Sequence, residues 1–357
     1  TKSSGGLMQA ETGKRNCVSM LLSGTASGVT GACWVARQAG VDRVLTLDIG
    51  GTSSDVALII DGQPQFGKDE KIGDYPLHIP SVSVSSIGIG GGSIAHVDAF
   101  GVLKVGPESA GSTPGPACYG RGGTQATLTD ALAVCGYLGH APMAYGQLTL
   151  DTKCAFSVMD EIAQRLGRDV PSTAEAIIRV AVSEMFVEVE KLVSRAGIDQ
   201  RDYTLMPFGG VGPMLGAMLA RDLGMHHILV PHRPGVVSAL GGLVSDLKGD
   251  FVRSLFVPCT AQSAEALQKA NADLITEGNA WLYEKQGFEA GGDILISAEM
   301  RYAGQSFEVD VPLQKKWIAS GDITAIRSAF DARHQELFDF NDPQAETEIV
   351  NLCLIAV

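Results

Sequence analysis

Leu47-Asp48-Ile49-Gly50-Gly51-Thr52-Ser53-Ser54-Asp55-Val56 sets two glycines and a threonine between two aspartates. Val44, Leu45 and Leu47 lead in as a strand, and Val56-Ala57-Leu58-Ile59-Ile60 leaves as a second strand toward Asp61-Gly62. A strand–Gly-Gly-Thr–strand hairpin can aim backbone N–H groups at a phosphate, because glycine has no Cβ to block close approach. Asp48 and Asp55 flank the turn, where carboxylates hold a magnesium ion or orient a water. Walker loops and Rossmann fingerprints both run from strand into helix. This loop runs from strand into strand and is neither.

The 357 residues suffice for two or three domains. A hydrophobic share of 45 % with 19 % charged residues is that of an ordinary globular protein. The 43 glycines exceed the usual share and gather in loops rather than in low-complexity tracts. A net charge of −13 argues against a nucleic-acid or anionic-membrane surface. An anionic ligand would then be held by local N–H groups, a metal and a few basic residues. The seven cysteines, at 17, 33, 118, 135, 154, 259 and 353, form neither a disulfide framework nor a zinc motif. That usage fits reduced thiols in the cytoplasm. No apolar run approaches a membrane span, and no signal peptide is expected. The chain opens on Thr1 in mid-motif, which points to a piece of a longer polypeptide.

Outward from the hairpin, Val18 to Ala36 carry small and apolar residues at helical spacing, with Thr25 or Ser27 as candidate caps, an end near Gln38 and Gly40 as the stop. So many small residues suit either close packing or a hinge. Residues 78–89 alternate as a half-buried strand; Ile94 to Val105 form a hairpin through Ala99-Phe100-Gly101. Gly106 to Pro116 is too rich in turn formers for helix or strand, and ordered loops of that kind often shape a site. Thr127-Leu128-Thr129-Asp130 opens a short helix capped by Thr129 or Asp130. The longest helical pattern runs from Ser172 to Arg195. Thr204 to Phe208 is a strand entering Gly209-Gly210-Val211-Gly212-Pro213, followed by a helix to Leu223 and a strand at 227–230. This second glycine turn sets backbone and a helix N-terminus against a ligand. A small-residue helix spans Ser238–Ser245. Beyond residue 250 the predicted order is β-α-β-β-α-β, a ferredoxin-like subdomain.

Three segments together resemble the second lobe of the actin, sugar-kinase and heat-shock-chaperone ATPases: a connecting helix at Ser23–Gly31, a second phosphate loop at Asp48–Asp55, and an adenosine motif at Phe208–Pro213. The fuller wording is similar to the hydantoinase A/5-oxoprolinase family. It is carried by Leu22-Ser23-Gly24, Asp48–Val56, Gly90–Ala95, Val105–Gly111, Pro114–Gly123, Thr129-Asp130-Ala131, Pro234–Ala239 and Arg301–Phe307. These runs extend over essentially the whole chain, and Gly106-Pro107-Glu108-Ser109-Ala110-Gly111 is the most specific.

The resemblance implies an α/β fold: a ribonuclease-H-like ATPase lobe (mixed sheet, flanking helices) followed by the smaller α+β subdomain. Residues 1–40 would be a connecting segment and hinge helix, 41–250 the lobe with a Gly/Pro-rich insertion at about 62–145, and 251–357 the subdomain. It implies ATP with Mg2+ or Mn2+, and phosphorylation of an amide or carbonyl oxygen that activates a small cyclic amide for hydrolysis. Asp48 would be catalytic and the metal ligand, and Asp55 catalytic. Gly50, Gly51, Thr52, Ser53, Gly209, Gly210 and Gly212 would bind the nucleotide. The expected partners are a first lobe and a hydantoinase B-type subunit, with no nucleic acid and no membrane. An acetone/acetophenone-type carboxylase, acting on a ketone, shares the phosphorylation step. A non-catalytic ATP-binding assembly module is the third reading, favoured by Leu215 where the family commonly has histidine. The family's Pro-Ala-Ala-Gly after Ser23-Gly24 is here Thr25-Ala26-Ser27-Gly28. Turn capping explains Asp48 and Asp55 without function; Glu108, Asp130 and the glycines at 90–92 are open between site and scaffold. His226, His227 and His232 lack a carboxylate at ligand spacing, and Cys118 and Cys135 read as buried small hydrophobes.

Overall fold

The computed structural model describes residues 1–67, 71–72, 75–76, 81–139, 148–289 and 291–357. The chain forms two compact units, Thr1–Ser245 and Asp246–Val357. In the first, helix α1 (Ser23–Ala39) precedes strands β1 (Val44–Ile49) and β2 (Ser54–Ile60). Then come β3 (Gln63–Pro64), β4 (Ser85–Ile87), β5 (Ser93–Val97) and β6 (Leu103–Ser109), followed by α2 (Leu128–Val134), α3 (Thr152–Leu166) and α4 (Val170–Ala196). The unit closes with β7 (Thr204–Gly209), α5 (Gly212–Asp222), β8 (His227–Ile228) and α6 (Val237–Val244).

The central sheet is mixed, in the order β8-β7-β1-β2-β3, with β4 also on β2. β1 is parallel to β7 and antiparallel to β2. Successive side chains of a strand face opposite sides, and both sides of this sheet are covered. Leu45, Leu47, Ile49, Val56 and Leu58 belong to the core shared with α2 to α5. Val44, Ala57, Ile59, Met206 and Phe208 pack with Ala26, Val29, Ala32 and Ala36 of α1. The same alternation sends Asp48 and Asp55 to the α1 side. Nearly continuous apolar strands are what a doubly covered sheet requires.

Helix α1 starts at Ser23 and ends at Ala39 with Gly40 in the left-handed conformation, φ 69°. Neither Thr25 nor Ser27 caps it; both hydroxyls bond elsewhere, as described below. Its small residues lie against α6. A Cβ on Gly241 would collide with the Ser27 carbonyl, and one on Gly31 with the Val237 carbonyl. The Thr127 side chain, not Thr129 or Asp130, caps α2, with Asp130 completing the capping box. The strand expected over 78–89 is present at Ser81–Val82 and at β4, while 78–80 lie outside the described residues. β6 continues through Gly106 and Pro107 by shifting register between Val105 and Ser109, so the turn-rich loop begins later than its composition predicts. Helix α3 was not anticipated, although Asp151 caps it and Gly167 ends it.

The second unit contains β9 (Gly249–Pro258), α7 (Ala264–Asn279), β10 (Ile294–Tyr302), β11 (Val309–Pro312), α8 (Ile323–Phe338) and β12 (Thr347–Ala356). The expected β-α-β-β-α-β order is present, with a short extra helix at Lys315–Ser320. Its antiparallel sheet runs β9-β12-β10-β11. A ferredoxin-like sheet has its first and third strands in the centre; here the second and fourth are central. Burial explains the choice: β9 exposes alternate positions along its length, and β11 is only four residues long, so both take the edges. Among the described residues no helix is long and apolar enough to cross a membrane.

Candidate nucleotide-phosphate site

Asp48 and Asp55 are cross-strand partners in the β1–β2 hairpin. Both are half-buried on the face beneath α1. The Thr25 hydroxyl, in the first turn of α1, donates to Asp55 Oδ2 at 3.2 Å, and Ser86 of β4 donates to Asp55 Oδ1 at 2.5 Å. Ser238 of α6 donates to Asp48 Oδ2 at 3.3 Å. Ser27 holds α6 in place by donating to the Ser238 carbonyl at 2.7 Å. Gly28 gives the helix room to approach: a Cβ there would lie 3.0 Å from Ser238 Oγ and 3.5 Å from Asp48 Oδ2. The first turn of α1 thus faces the Asp55 carboxylate, as helix dipoles favour. Burial, and then the neighbouring Asp55, push the Asp48 carboxyl above its ordinary range; the Ser238 bond opposes this only in part.

Beyond this pair the chain turns through Gly50–Ser53, closed by Gly50 N–H to the Ser53 carbonyl at 3.0 Å. Gly51, Thr52 and Ser53 are exposed. No group among the described residues accepts from their three backbone N–H groups. The glycines at 90–92 hold the turn from behind, Gly91 N–H to the Gly50 carbonyl at 2.9 Å and Gly92 N–H to the Gly51 carbonyl at 2.5 Å. A Cβ at Gly90 would come within 2.7 Å of the Ser53 nitrogen. These glycines are therefore scaffold for the turn.

A cleft of about 480 Å3 opens beside the turn. Gly50, Gly51 and Thr52 form one part of its lining, Gly91, Gly92, Gly111, Ser112, Pro116 and Tyr119 another, and Gly210, Val211 and Met214 a third. That volume suits a small-molecule ligand. Of the expected nucleotide contacts, Gly50, Gly51, Thr52 and Gly210 line the cleft, whereas Ser53 does not. Gly209 and Gly212 are used in packing. Gly209 has φ +81°, and a Cβ there would collide with Asp48 Oδ1; one on Gly212 would lie 3.2 Å from the Leu47 carbonyl. Asp48 and Asp55 lie at the base of the hairpin rather than in the cleft lining.

Asp130 is fully buried and accepts from the N–H groups of Ala117, Cys118 and Thr127 and from the Thr127 hydroxyl. It ties α2 to the Gly/Pro loop. Leu215 is fully buried in the core beneath α5. Glu108 is exposed on β6. His226, His227 and His232 are exposed, and no cluster of three metal-ligating side chains occurs among the described residues. All seven cysteines are free; Cys118 is buried and Cys135 partly so. Sequence reasoning did not single out Thr25, Ser86 and Ser238 as partners of the aspartates, nor Tyr119 and Met214 as cleft residues. Hydroxyl residues are common on half-buried faces, and only the packing shows which reach a carboxylate.

Residues 1–251 match the family described as hydantoinase/oxoprolinase. The chain belongs to this family. Within it, the chain is 35 % identical over 358 residues to caprolactamase subunit alpha of Pseudomonas jessenii, covering 98 % of this chain and 51 % of the relative. The crystal structure of the ATP-dependent caprolactamase from that organism aligns over the whole chain at 32 % identity and TM-score 0.76, covering 52 % of that structure. The nucleotide-free structure of an acetone carboxylase aligns over 99 % of this chain and 52 % of its own at 25 % identity and TM-score 0.80. This member thus spans about half the length of these relatives.

Proposed function

We propose that this chain supplies one wall of the ATP site in an enzyme that phosphorylates an amide or carbonyl oxygen, activating a cyclic amide for hydrolysis. In this reading the unit Thr1–Ser245 is a ribonuclease-H-like ATPase lobe. The observation that carries it is the run of three unpartnered N–H groups at Gly51, Thr52 and Ser53, set directly above the opposed Asp48 and Asp55. Successive free N–H groups at a glycine turn form an anion-binding concavity. The glycines at 90–92 keep that turn from collapsing when it is empty.

The acidic pair fits a divalent cation. Magnesium is commonly held through one or two carboxylates and substrate phosphates, and a cation relieves the repulsion between Asp48 and Asp55. Asp48 would hold Mg2+ or Mn2+, which would neutralise phosphate charge. Thr25, Ser86 and Ser238 fix the carboxylate oxygens, so little reorganisation is needed during transfer. Gly210, Val211 and Met214 form the adenosine side of the cleft. Phosphoryl transfer depends mainly on positioning and charge stabilisation, which is what this constellation provides. The substrate and the remaining walls of the site would come from a first lobe and a hydantoinase B-type partner. A cytoplasmic location agrees with seven free thiols.

The caprolactamase similarity, at 35 % identity, supports the amide-hydrolase reading. The higher TM-score with acetone carboxylase, 0.80, supports the same lobe serving a ketone carboxylase. ATP hydrolysis by the complete assembly, screened over hydantoins, 5-oxoproline, lactams and ketones with and without bicarbonate, separates the two. Stimulation by a cyclic amide without bicarbonate is the expected result. Stimulation only by a ketone with bicarbonate selects the carboxylase, and absence of ATP turnover on every substrate overturns both.

A further inference from the structure

A second concavity, of about 470 Å3, lies in the unit Thr1–Ser245 beside β4, the β5–β6 hairpin and α4. Its ionisable lining is sorted by kind, a lysine and a histidine on one side and two glutamates on the other. His96 and Lys104 stand directly opposite each other across β5 and β6. Glu184 and Glu188 lie one turn apart on α4. Like charges one turn apart on a helix oppose folding, so Glu184 and Glu188 are a cost unless a positive charge meets them. On the opposite wall Asp98 lies close enough to Lys104 and His96 that its carboxyl is held below the ordinary range, first by backbone N–H groups and then in part by them. The two pairs do not meet each other: among the described residues no ion pair joins them, and Glu188 bonds Lys191 instead at 2.7 Å. Ile87, Ile89 and Val105 add apolar lining. Sparse charges around an apolar wall are the composition of a small-molecule site.

We propose that this groove binds a small zwitterion in which a short methylene chain separates a carboxylate from an ammonium. The carboxylate pairs with Lys104 and accepts a hydrogen bond from His96, the ammonium pairs with Glu184 and Glu188, and the methylenes lie on the apolar lining. Hydrolysis of a simple lactam yields a molecule of this class. The ring C–N bond breaks, the hydroxyl of water joins the carbonyl carbon and its hydrogen joins the nitrogen. Naming the occupant as the reaction product rests on the proposed function; the charge complementarity does not. Ser86 lines the groove and bonds Asp55, so the occupant would sit one side chain from the acidic pair.

The test is isothermal titration of the full chain, without nucleotide, against straight-chain ω-amino acids of increasing length. The matching monocarboxylates and monoamines serve as controls. The ω-amino acids should bind about tenfold or more tightly than either control, and Lys104→Ala and Glu184→Gln should each weaken binding about tenfold, the scale of one charge-assisted hydrogen bond. Equal binding of the singly charged controls, unchanged affinity in both variants, or no binding of any ω-amino acid overturns the proposal. With no ATP present, these outcomes are independent of whether the assembly turns ATP over.

Discussion

Asp48 and Asp55 face each other directly across the β1–β2 hairpin, two carboxylates on one face of a doubly covered sheet. Nothing in strand stability asks for this, since like charges opposite one another are unfavourable by up to ~1 kcal/mol. The pair is maintained by hydroxyls from three different elements, one on Asp48 and two on Asp55.

Replacing Asp48 by asparagine should therefore stabilise the fold at neutral pH, by about 2–4 °C in Tm for a unit of this size. The Asp48 carboxyl is held above its ordinary range by burial and by Asp55, so the folded state binds its proton more tightly than the unfolded chain does. Its contribution to stability is fully present below the unfolded value and is lost as pH rises through the folded one. Calorimetric scans across pH should show the gap between Asp48→Asn and the native chain opening upward from the carboxylate range. A gap that widens on acidification would reverse the sign of this account.

Thr25 acts through Asp55, so it is a positioning residue. In the assembled enzyme Thr25→Ala should lower kcat about tenfold with KM for ATP little changed, and Thr25→Ser, which keeps the hydroxyl, should recover most of the loss. Equal defects in the two variants would show that the methyl group, and hence packing, matters instead.

Gly209 is required for two reasons: its positive φ, and the absence of a side chain next to Asp48 Oδ1. Gly209→Ala should cost roughly 1–3 kcal/mol in urea unfolding. Gly241→Ala should cost a similar ~1–3 kcal/mol, because its Cβ would push α6 off the Ser27 carbonyl. Loss of α6 seating should also release Ser238 from Asp48. A neutral result at Gly241 would mean that the two helices slide apart at no cost.

The hairpin, the strand–glycine–helix unit at 204–222 and the long helix α4 were legible because each joins a clear periodicity to a glycine or an Asx cap. The strand order of the second unit was not. Periodicity identifies a strand, whereas its place in the sheet depends on which strands tolerate an edge, here the alternately exposed β9 and the short β11. Within the site, Gly50–Thr52 and Gly210 were readable as cleft-lining from their turn chemistry. Gly209 and Gly212 carry the same chemical signature, yet they serve close packing against β1, a distinction that only the third dimension draws. The same holds for Thr25 and Ser27. As helix caps they looked ordinary, but the helix starts earlier and frees both hydroxyls for tertiary bonds.

ATP turnover by the complete assembly carrying Asp48→Asn, with Tm recorded on the same sample, tests the central claim most directly. The account predicts a loss of turnover of about a hundred- to a thousandfold, comparable to removing a principal electrostatic group from an active site, with Tm at neutral pH equal to or above that of the native protein. Native turnover in this variant would contradict it, and would reduce the Asp48–Asp55 pair to the two ends of a turn.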